Sequence, residues 1–544
     1  MSTPQPIDYL HLFPPEIWLA CWTLCSLQQL RRISLVCKLF RSLSLPFVFE
    51  HQTFDALALT GGIGRDNWID RVRHLHRIAV RLDRLVQNPY APMVRSWNVS
   101  FPKRPIGRFH PDIQNIHLFD KLYERILTTF SATLGLYHNL SSLHIYGLLI
   151  DAPFRATLTS LSKLDDLTLF DCDIVAQEGF LRLRSFTMIS GFRNFWPENE
   201  GPFQIASPDS LCTLEIINLR DRQISLLLTG FGPGRLPCLV DLYIDLQNNN
   251  DAVALFQFLE QCPNLESLKI NAPRTDFPGH YIWQIPDVSS ETIPLLRILA
   301  GPPRLIQLLT LNRPVTGVMV LNWDDSDGLE PLCMDILRSA RPIQSLALPA
   351  MTPTTLDTLV SIAHLFPDLR QWTIKIPQYA AMPPGSNSSF PFIPLSDDPL
   401  SVDAQSIDLC DDNAFDELAA DDISDTESES PPMVIPSIEF PAPETSEVSG
   451  IHSILRWVFE GLLLLPPSIE VLRLEQEEGS MPAEVLFPQQ GQAVATLGSM
   501  YPLLRQVRFG RDEWKRIGTS EEWKEQVESA VRPLHLEKFH GRLS

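Results

Sequence analysis

The sequence predicts an α/β fold. A short N-terminal helical module is followed by an irregular array of strand–helix repeats, which would stack as a curved parallel sheet with outer helices. Three observations predict it. Residues 12–41 are densely apolar at helical spacing. An apolar-x-x-apolar-x-apolar pattern recurs along most of the chain. Many of its starts lie 24 to 28 residues apart, with helical patterns between them.

The first unit is expected at residues 8–52. Pro14 and Pro15 set an extended approach, and proline is tolerated in the first turn of a helix. Glu16 supplies a negative charge at that N-terminus. Ile17, Trp18, Cys21 and Leu24 make one apolar face, and Leu27, Leu30, Ile33, Val36, Cys37 and Phe40 continue at helical spacing as a second stretch. So few residues cannot form a stable core alone, so the segment needs a partner surface in this chain or on another protein.

Residues 53–138 read as a helical connector and first repeat. Within them, 65–87 pattern as an amphipathic helix. Trp68, Val72, Leu75, Ala79, Leu82 and Val86 form its stripe, and Arg71, Arg73, Arg77, Arg81 and Arg84 its solvated face.

The repeats proper are expected at 139–376. The pattern first reads Val94-x-x-Trp97-x-Val99. It returns from Leu140, Leu164, Leu183, Leu211, Leu239, Leu265, Val315, Ile343, Leu369, Ile469, Leu504 and Val531. Each period-2 part is a short strand, often entered from a proline-rich turn as in CPNLESLKI and FPDLRQWTI. Asp251–Cys262 and Thr354–Phe366 are helical patterns between strands. The spacing is the leucine-rich-repeat period, and one such unit cannot bury its apolar face without neighbours. The interval from 270 to 315 reads as a degenerate repeat.

Residues 377–450 interrupt the array with an acidic Pro/Ser-rich composition that predicts disorder. Ser424, Thr426 and Ser430 lie among acids or before proline there, as kinase acceptors often do. Residues 377–449 hold sixteen Asp and Glu and no Lys or Arg, so most of the net charge of −21 comes from this segment and the rest is near balance. Residues 451–544 return to the repeat pattern. Thr519-x-x-Glu522 predicts a capping box for a closing helix through Val531, with Trp523 and Val527 facing inward.

The nine cysteines include no C-x-x-C pair and read as small buried hydrophobes in a reducing compartment. The N-terminus reads without a signal-peptide pattern, and no run reaches the ~20 apolar residues of a membrane span. A cytoplasmic or nuclear location is expected. Phosphate-loop, serine-hydrolase and H-E-x-x-H patterns do not occur. Gly61-Gly62-Ile63-Gly64 lacks the following Lys-Ser/Thr of a phosphate loop. His74 and His76 fall on different sides of a helix, and Cys21 and Cys25 lack a second ligand pair. No catalytic residue, metal site or cofactor is expected, and nucleic-acid binding by the Arg-rich helix is disfavoured because no exposed aromatics interleave with it.

Phe13-Pro14-Pro15-Glu16-Ile17-Trp18, the leucine-rich middle, and Val36-Cys37-Lys38-Leu39-Phe40-Arg41 resemble an F-box, over about 40 of 544 residues. Phe13 stands where that family usually has leucine, and Leu27-Gln28-Gln29-Leu30 lacks its common acidic residue. With the repeats that follow, the layout resembles F-box/leucine-rich-repeat substrate receptors of fungal type. The resemblance implies a three-helix module docking a Skp-type adaptor, and through it a cullin, in a ubiquitin ligase. Pro14, Pro15, Ile17, Trp18, Leu30, Val36, Cys37 and Phe40 would provide the adaptor contacts or their support. The repeats would then present a protein target on the strand residues between the apolar ones. The candidates are His144, Tyr146, Asp166, Thr168, Phe170, Glu215, Asp241, Tyr243, Asp245, Lys269, Thr373, Lys375, Arg473 and Arg508. Asp241, Tyr243 and Asp245 are the clearest cluster. The rival reading is a scaffold whose N-terminal helices cap the array and hide its end.

Overall fold

The computed structural model describes residues 13–55, 76–77, 79–80, 82, 84, 90–100, 113–174, 179–190, 204–219, 223–246, 249–271, 288–289, 291–321, 328–350, 355–376, 450–476, 490–510, 512–517 and 522–526. Three short helices open it: α1 (Pro15–Trp22), α2 (Leu27–Ile33) and α3 (Lys38–Glu50). The second apolar stretch is thus two helices, not one. Ser26 caps α2 in a reciprocal capping box with Gln29. After the turn Ser34–Val36, Cys37 caps α3, its Sγ accepting the Phe40 N–H at 3.3 Å.

Chain order then governs a sixteen-stranded, mostly parallel, open sheet among the described residues. Its strands are β1 (His51–Asp55), β2 (Ser96–Ser100), β3 (Ser142–Tyr146), β4 (Asp166–Phe170), β5 (Ser185–Ile189) and β6 (Thr213–Ile217). They continue as β7 (Asp241–Asp245), β8 (Ser267–Asn271), β9 (Ile298–Gly301), β10 (Gly317–Val320), β11 (Ser345–Leu348) and β12 (Gln371–Ile376). β13 (Val471–Gln476), β14 (Gln506–Phe509), β15 (Asp512–Arg516) and β16 (Trp523–Gln526) complete it.

Every described occurrence of the sequence pattern lies on one of these strands. In-register pairing puts its second apolar residue in a single buried row. That row runs Trp97, Leu143, Leu167, Phe186, Leu214, Leu242, Leu268, Leu299, Val318, Leu346, Trp372, Leu472 and Val507. Helix residues such as Leu255, Leu259, Leu305, Ile306 and Leu309 join the same core. Burying each such side chain contributes roughly 1.5–3 kcal/mol.

Four strands escaped the pattern: β1, β9 and the antiparallel end pair β15 and β16. β1 places Gln52 in the Trp97 row, and β9 ends at Gly301 where the third apolar residue would stand. The boundary at residue 52 therefore falls inside β1, and α3 runs directly into the sheet. The interval between 270 and 315 contains a full unit, β9.

Turns lock successive units together. The residue before the first apolar position donates to a carbonyl of the preceding unit: Asn139 to Pro92, Asn264 to Pro237 and Ser468 to Pro367. This hydrogen bond accounts for the polar residue in the P-N-L lead-in. Buried guanidiniums brace the irregular units. Arg155 donates to the Gly179 and Gln204 carbonyls. Arg313, 1% exposed, donates to Ser289 at 2.7 Å, Thr292 at 3.0 Å, Leu308 at 3.3 Å and Leu311 at 3.4 Å.

The acidic segment 377–449 lies outside the described residues. β12 and β13 on either side of it pair directly from Gln371↔Val471 to Ile376↔Gln476, so the sheet continues without it. Trp68, Val72, Leu75, Val86 and the Val531 pattern also lie outside the described residues. Ala79 and Leu82 of the connector are buried in the core, and Arg77 and Arg84 are exposed.

The closing helix expected through Val531 is corrected. Residues 523–526 are β16, which forms an antiparallel end to the sheet with β15. Its Trp523 does face inward, onto Gly498 of the helix Gln490–Met500, where an added Cβ would lie 2.6 Å from the indole Nε1. Tertiary packing of this indole overrides the local helix signal. Gly498→Leu is therefore expected to expel Trp523 and cost about 1–3 kcal/mol, read as a lower thermal midpoint and faster proteolysis after residue 510.

Candidate functional site

Two surfaces hold the residues that the sequence singled out. On the helical module, Trp18, Trp22 and Phe40 form an internal aromatic cluster. The Trp18–Phe40 and Trp22–Phe40 ring centroids are each 5.1 Å apart. Trp22 and Leu30 are buried, yet neither belongs to the contiguous core of the sheet. Of the eight residues named for adaptor docking, Trp18, Leu30, Cys37 and Phe40 thus support the module from within. Pro14, Pro15, Ile17 and Val36 are exposed.

The structure adds Phe13, Leu24, Leu27 and Leu35 to that exposed apolar set, with Leu24 at 88%, Leu35 at 84% and Val36 at 68%. Leu24, read on one apolar face with Ile17, Trp18 and Cys21, lies in the turn after α1, which ends at Trp22. Cys21 is likewise exposed, against the expectation of burial. Cys262 and Cys333 do match it, and burial pushes both thiols up to about 12.

The second surface is the open face of the sheet. Strand alternation leaves residues 142, 144 and 146 of β3, and their counterparts in each strand, facing away from the core. The central row of this face runs Asn98, His144, Thr168, Thr187, Glu215, Tyr243 and Lys269, continuing through Ala300, Met319, Ala347, Thr373, Arg473 and Arg508.

At β3–β4, Ser142 Oγ lies 3.0 Å from His144 Nε2 and donates to Asp166 Oδ2 at 3.1 Å, which is 4.0 Å from the same ring nitrogen. Serine and carboxylate share one nitrogen, so the carboxylate does not orient the imidazole from its far side as a nucleophile-activating relay requires. Tyr146 stacks on Phe170 at 4.6 Å and donates to Asp171. Asp171 leaves β4 in the left-handed region at φ 52°, a geometry that Asp tolerates.

At β6–β8, the Asp245 carboxylate is buried and accepts the Asn218 N–H at 3.1 Å. Lys269 Nζ stands 4.2 Å from the Tyr243 ring centroid, and Thr187 donates to Glu215 at 3.2 Å. Burial raises the Asp245 pKa above the usual carboxylate range, against the pull of the Asn218 amide, the Tyr243 and Asn271 polar groups and the Lys269 charge. Burial also lowers the Lys269 ammonium, although Asp245 and Glu215 favour its charge. The Tyr243 phenol is pushed up by burial first and then by Asp245 and Glu215.

The cluster expected from Asp241, Tyr243 and Asp245 thus extends to Lys269 and Glu215 on adjacent strands. Lys375 lies on β12, four strands beyond Lys269, yet its charge still acts on Lys269. Among the described residues no group of His, Cys, Asp and Glu could hold a metal, and no helix is long and apolar enough to cross a membrane.

The shift at Asp245 has a pH signature. With the folded pKa above the unfolded value, the carboxylate costs nothing below the ordinary carboxylate range. Its penalty grows as pH rises through the folded pKa. Asp245→Asn keeps an acceptor for the Asn218 amide. It is expected to raise the thermal midpoint at pH 7, with the gain shrinking toward pH 4.

Fold and surfaces together define a class of protein: short N-terminal helices joined to a repeat-like, mostly parallel sheet with a continuous open face. A scan against protein-family models finds no match to the chain, and a search of curated proteins finds no similar chain.

Proposed function

We propose that this chain is a non-catalytic substrate-recognition subunit of a Skp–cullin–F-box ubiquitin ligase. The helical module is read as the F-box, and the sheet with its helices as a curved leucine-rich-repeat solenoid that binds a protein target. The observation that carries the reading is the exposed apolar set Phe13, Ile17, Leu24, Leu27, Leu35 and Val36 on a module with its own aromatic interior. Water-exposed apolar side chains gathered on so small a unit favour docking to a partner. Six adjacent strand faces of mixed polarity favour a protein ligand over a small molecule.

One observation favours the capping reading. α3 runs into β1 without a break, and Phe49 stacks on Tyr90 at 4.6 Å. In that reading the N-terminal helices cap the array and hide its end, with no ligase role. Co-purification of a Skp-type adaptor with the full-length chain decides between them. Capture supports the receptor, and no capture at micromolar concentrations of both proteins leaves the cap.

A further inference from the structure

The open face is electrically polarised along the chain. Its first half carries Asp166, Glu215, Asp241 and Asp245. The central row from Lys269 to Arg508 carries no carboxylate, and Lys375 adds a further cation beside it. Glu475 is paired in register with Lys375, and Glu513 of β15 with Arg508, Glu513 also lying 3.2 Å from Lys515.

Between Lys269 and Lys375 the face residues are Ile298, Ala300, Gly317, Met319, Ser345 and Ala347. None of these six residues is charged; Ala300, Gly317 and Ala347 are buried, and Ile298, Met319 and Ser345 half-buried.

The acidic segment begins at the edge of this stretch. Residue 377 follows Ile376, the last residue of β12 and the neighbour of Lys375, and the chain returns at Gly450 before β13. Its sixteen carboxylates are therefore attached beside the cationic half of the face. We propose that residues 397–447 are an intramolecular ligand of the carboxylate-free stretch of the face between Lys269 and Lys375, occupying the face in competition with outside acidic segments. Attachment at both ends gives these carboxylates a local concentration on the order of millimolar, so weak ion pairing suffices. This occupancy stands whether or not the helical module docks an adaptor.

Zero-length carbodiimide coupling on the full-length chain tests it. Lys269 and Lys375 should couple to carboxylates of 397–447 at least about fivefold more than Lys38, Lys121, Lys163 or Lys524, and salt at about 0.5 M should abolish the preference. In a second measurement, a synthetic peptide of residues 408–430 is titrated into two full-length chains. One has the natural sequence, and the other has the insertion's Asp and Glu replaced by Asn and Gln. The peptide should bind the neutralised chain at least about tenfold more tightly. That binding should be lost when the neutralised chain also carries Lys269→Gln and Lys375→Gln. Coupling spread evenly over the lysines, equal peptide affinity for the two chains, or no peptide binding to either would each overturn the proposal.

Discussion

A full-length chain carrying Ile17→Asp and Val36→Asp is expected to lose capture of a Skp-type adaptor by at least about 100-fold, with its thermal unfolding unchanged. A loss of that size corresponds to about 2.7 kcal/mol. Each apolar side chain moved from water into an interface contributes roughly 1.5–3 kcal/mol. An aspartate in its place adds the cost of burying an unpaired charge. Because Ile17 is 49% and Val36 68% exposed, neither substitution should disturb the folded module itself. Leu30→Asp is the contrasting variant. Leu30 is 5% exposed, so the same change there should unfold α1–α3 and abolish capture for a different reason. Undiminished capture by the double variant would show that the exposed set is not the docking surface. The measurement is adaptor co-purification alongside circular dichroism and a thermal melt.

Arg313→Met is expected to lower stability by about 3–5 kcal/mol. The guanidinium satisfies four backbone carbonyls, two from the segment leading into β9 and two at the end of the helix Pro303–Thr310. Methionine fills much of the volume but leaves those carbonyls buried without a donor. Burial lowers the Arg313 pKa, yet an arginine stays ionised at neutral pH, so its hydrogen bonds are charge-assisted. Arg313→Lys should recover only part of the loss, since an ammonium cannot span the positions of a planar fork. In a repeat-like array each unit rests on its neighbours. Amide hydrogen exchange should therefore quicken first in β8–β10, before the melt of the whole chain shifts. A midpoint unchanged by Arg313→Met would show that water replaces the guanidinium at no cost.

The strands were largely legible because their signal is local and strong. The alternation of Leu143 and Ile145, or of Leu242 and Ile244, follows from the period of a half-buried strand and needs no tertiary information. β1 and β9 were hidden for an equally physical reason. Gln52 and Gly301 occupy apolar positions that are buried only because neighbouring strands cover them. A polar residue and a glycine carry no hydrophobic periodicity of their own.

The same contrast holds for the candidate sites. Asp241, Tyr243 and Asp245 could be grouped from spacing along one strand. Lys269 and Glu215 join them only through register between strands, which no local pattern encodes. On the helical module, spacing marked the apolar residues but not their direction. Trp22, Leu30 and Phe40 turn inward while Leu24 and Leu35 turn outward, because α1 ends at Trp22 and α2 at Ile33. At the other end, Thr519 and Glu522 promise a helix. The indole of Trp523 instead finds the bare backbone of Gly498, and β16 forms.

By itself, then, the sequence determined the period of the chain, the alternation within each strand and the concentration of charge in 377–449. These depend on neighbours a few residues apart. Only the tertiary structure decided which residues share a face, which apolar side chains stay in water, and that β12 meets β13 across the acidic segment. Those outcomes depend on contacts between residues far apart in the chain, where packing and strand register, not local preference, set the free energy.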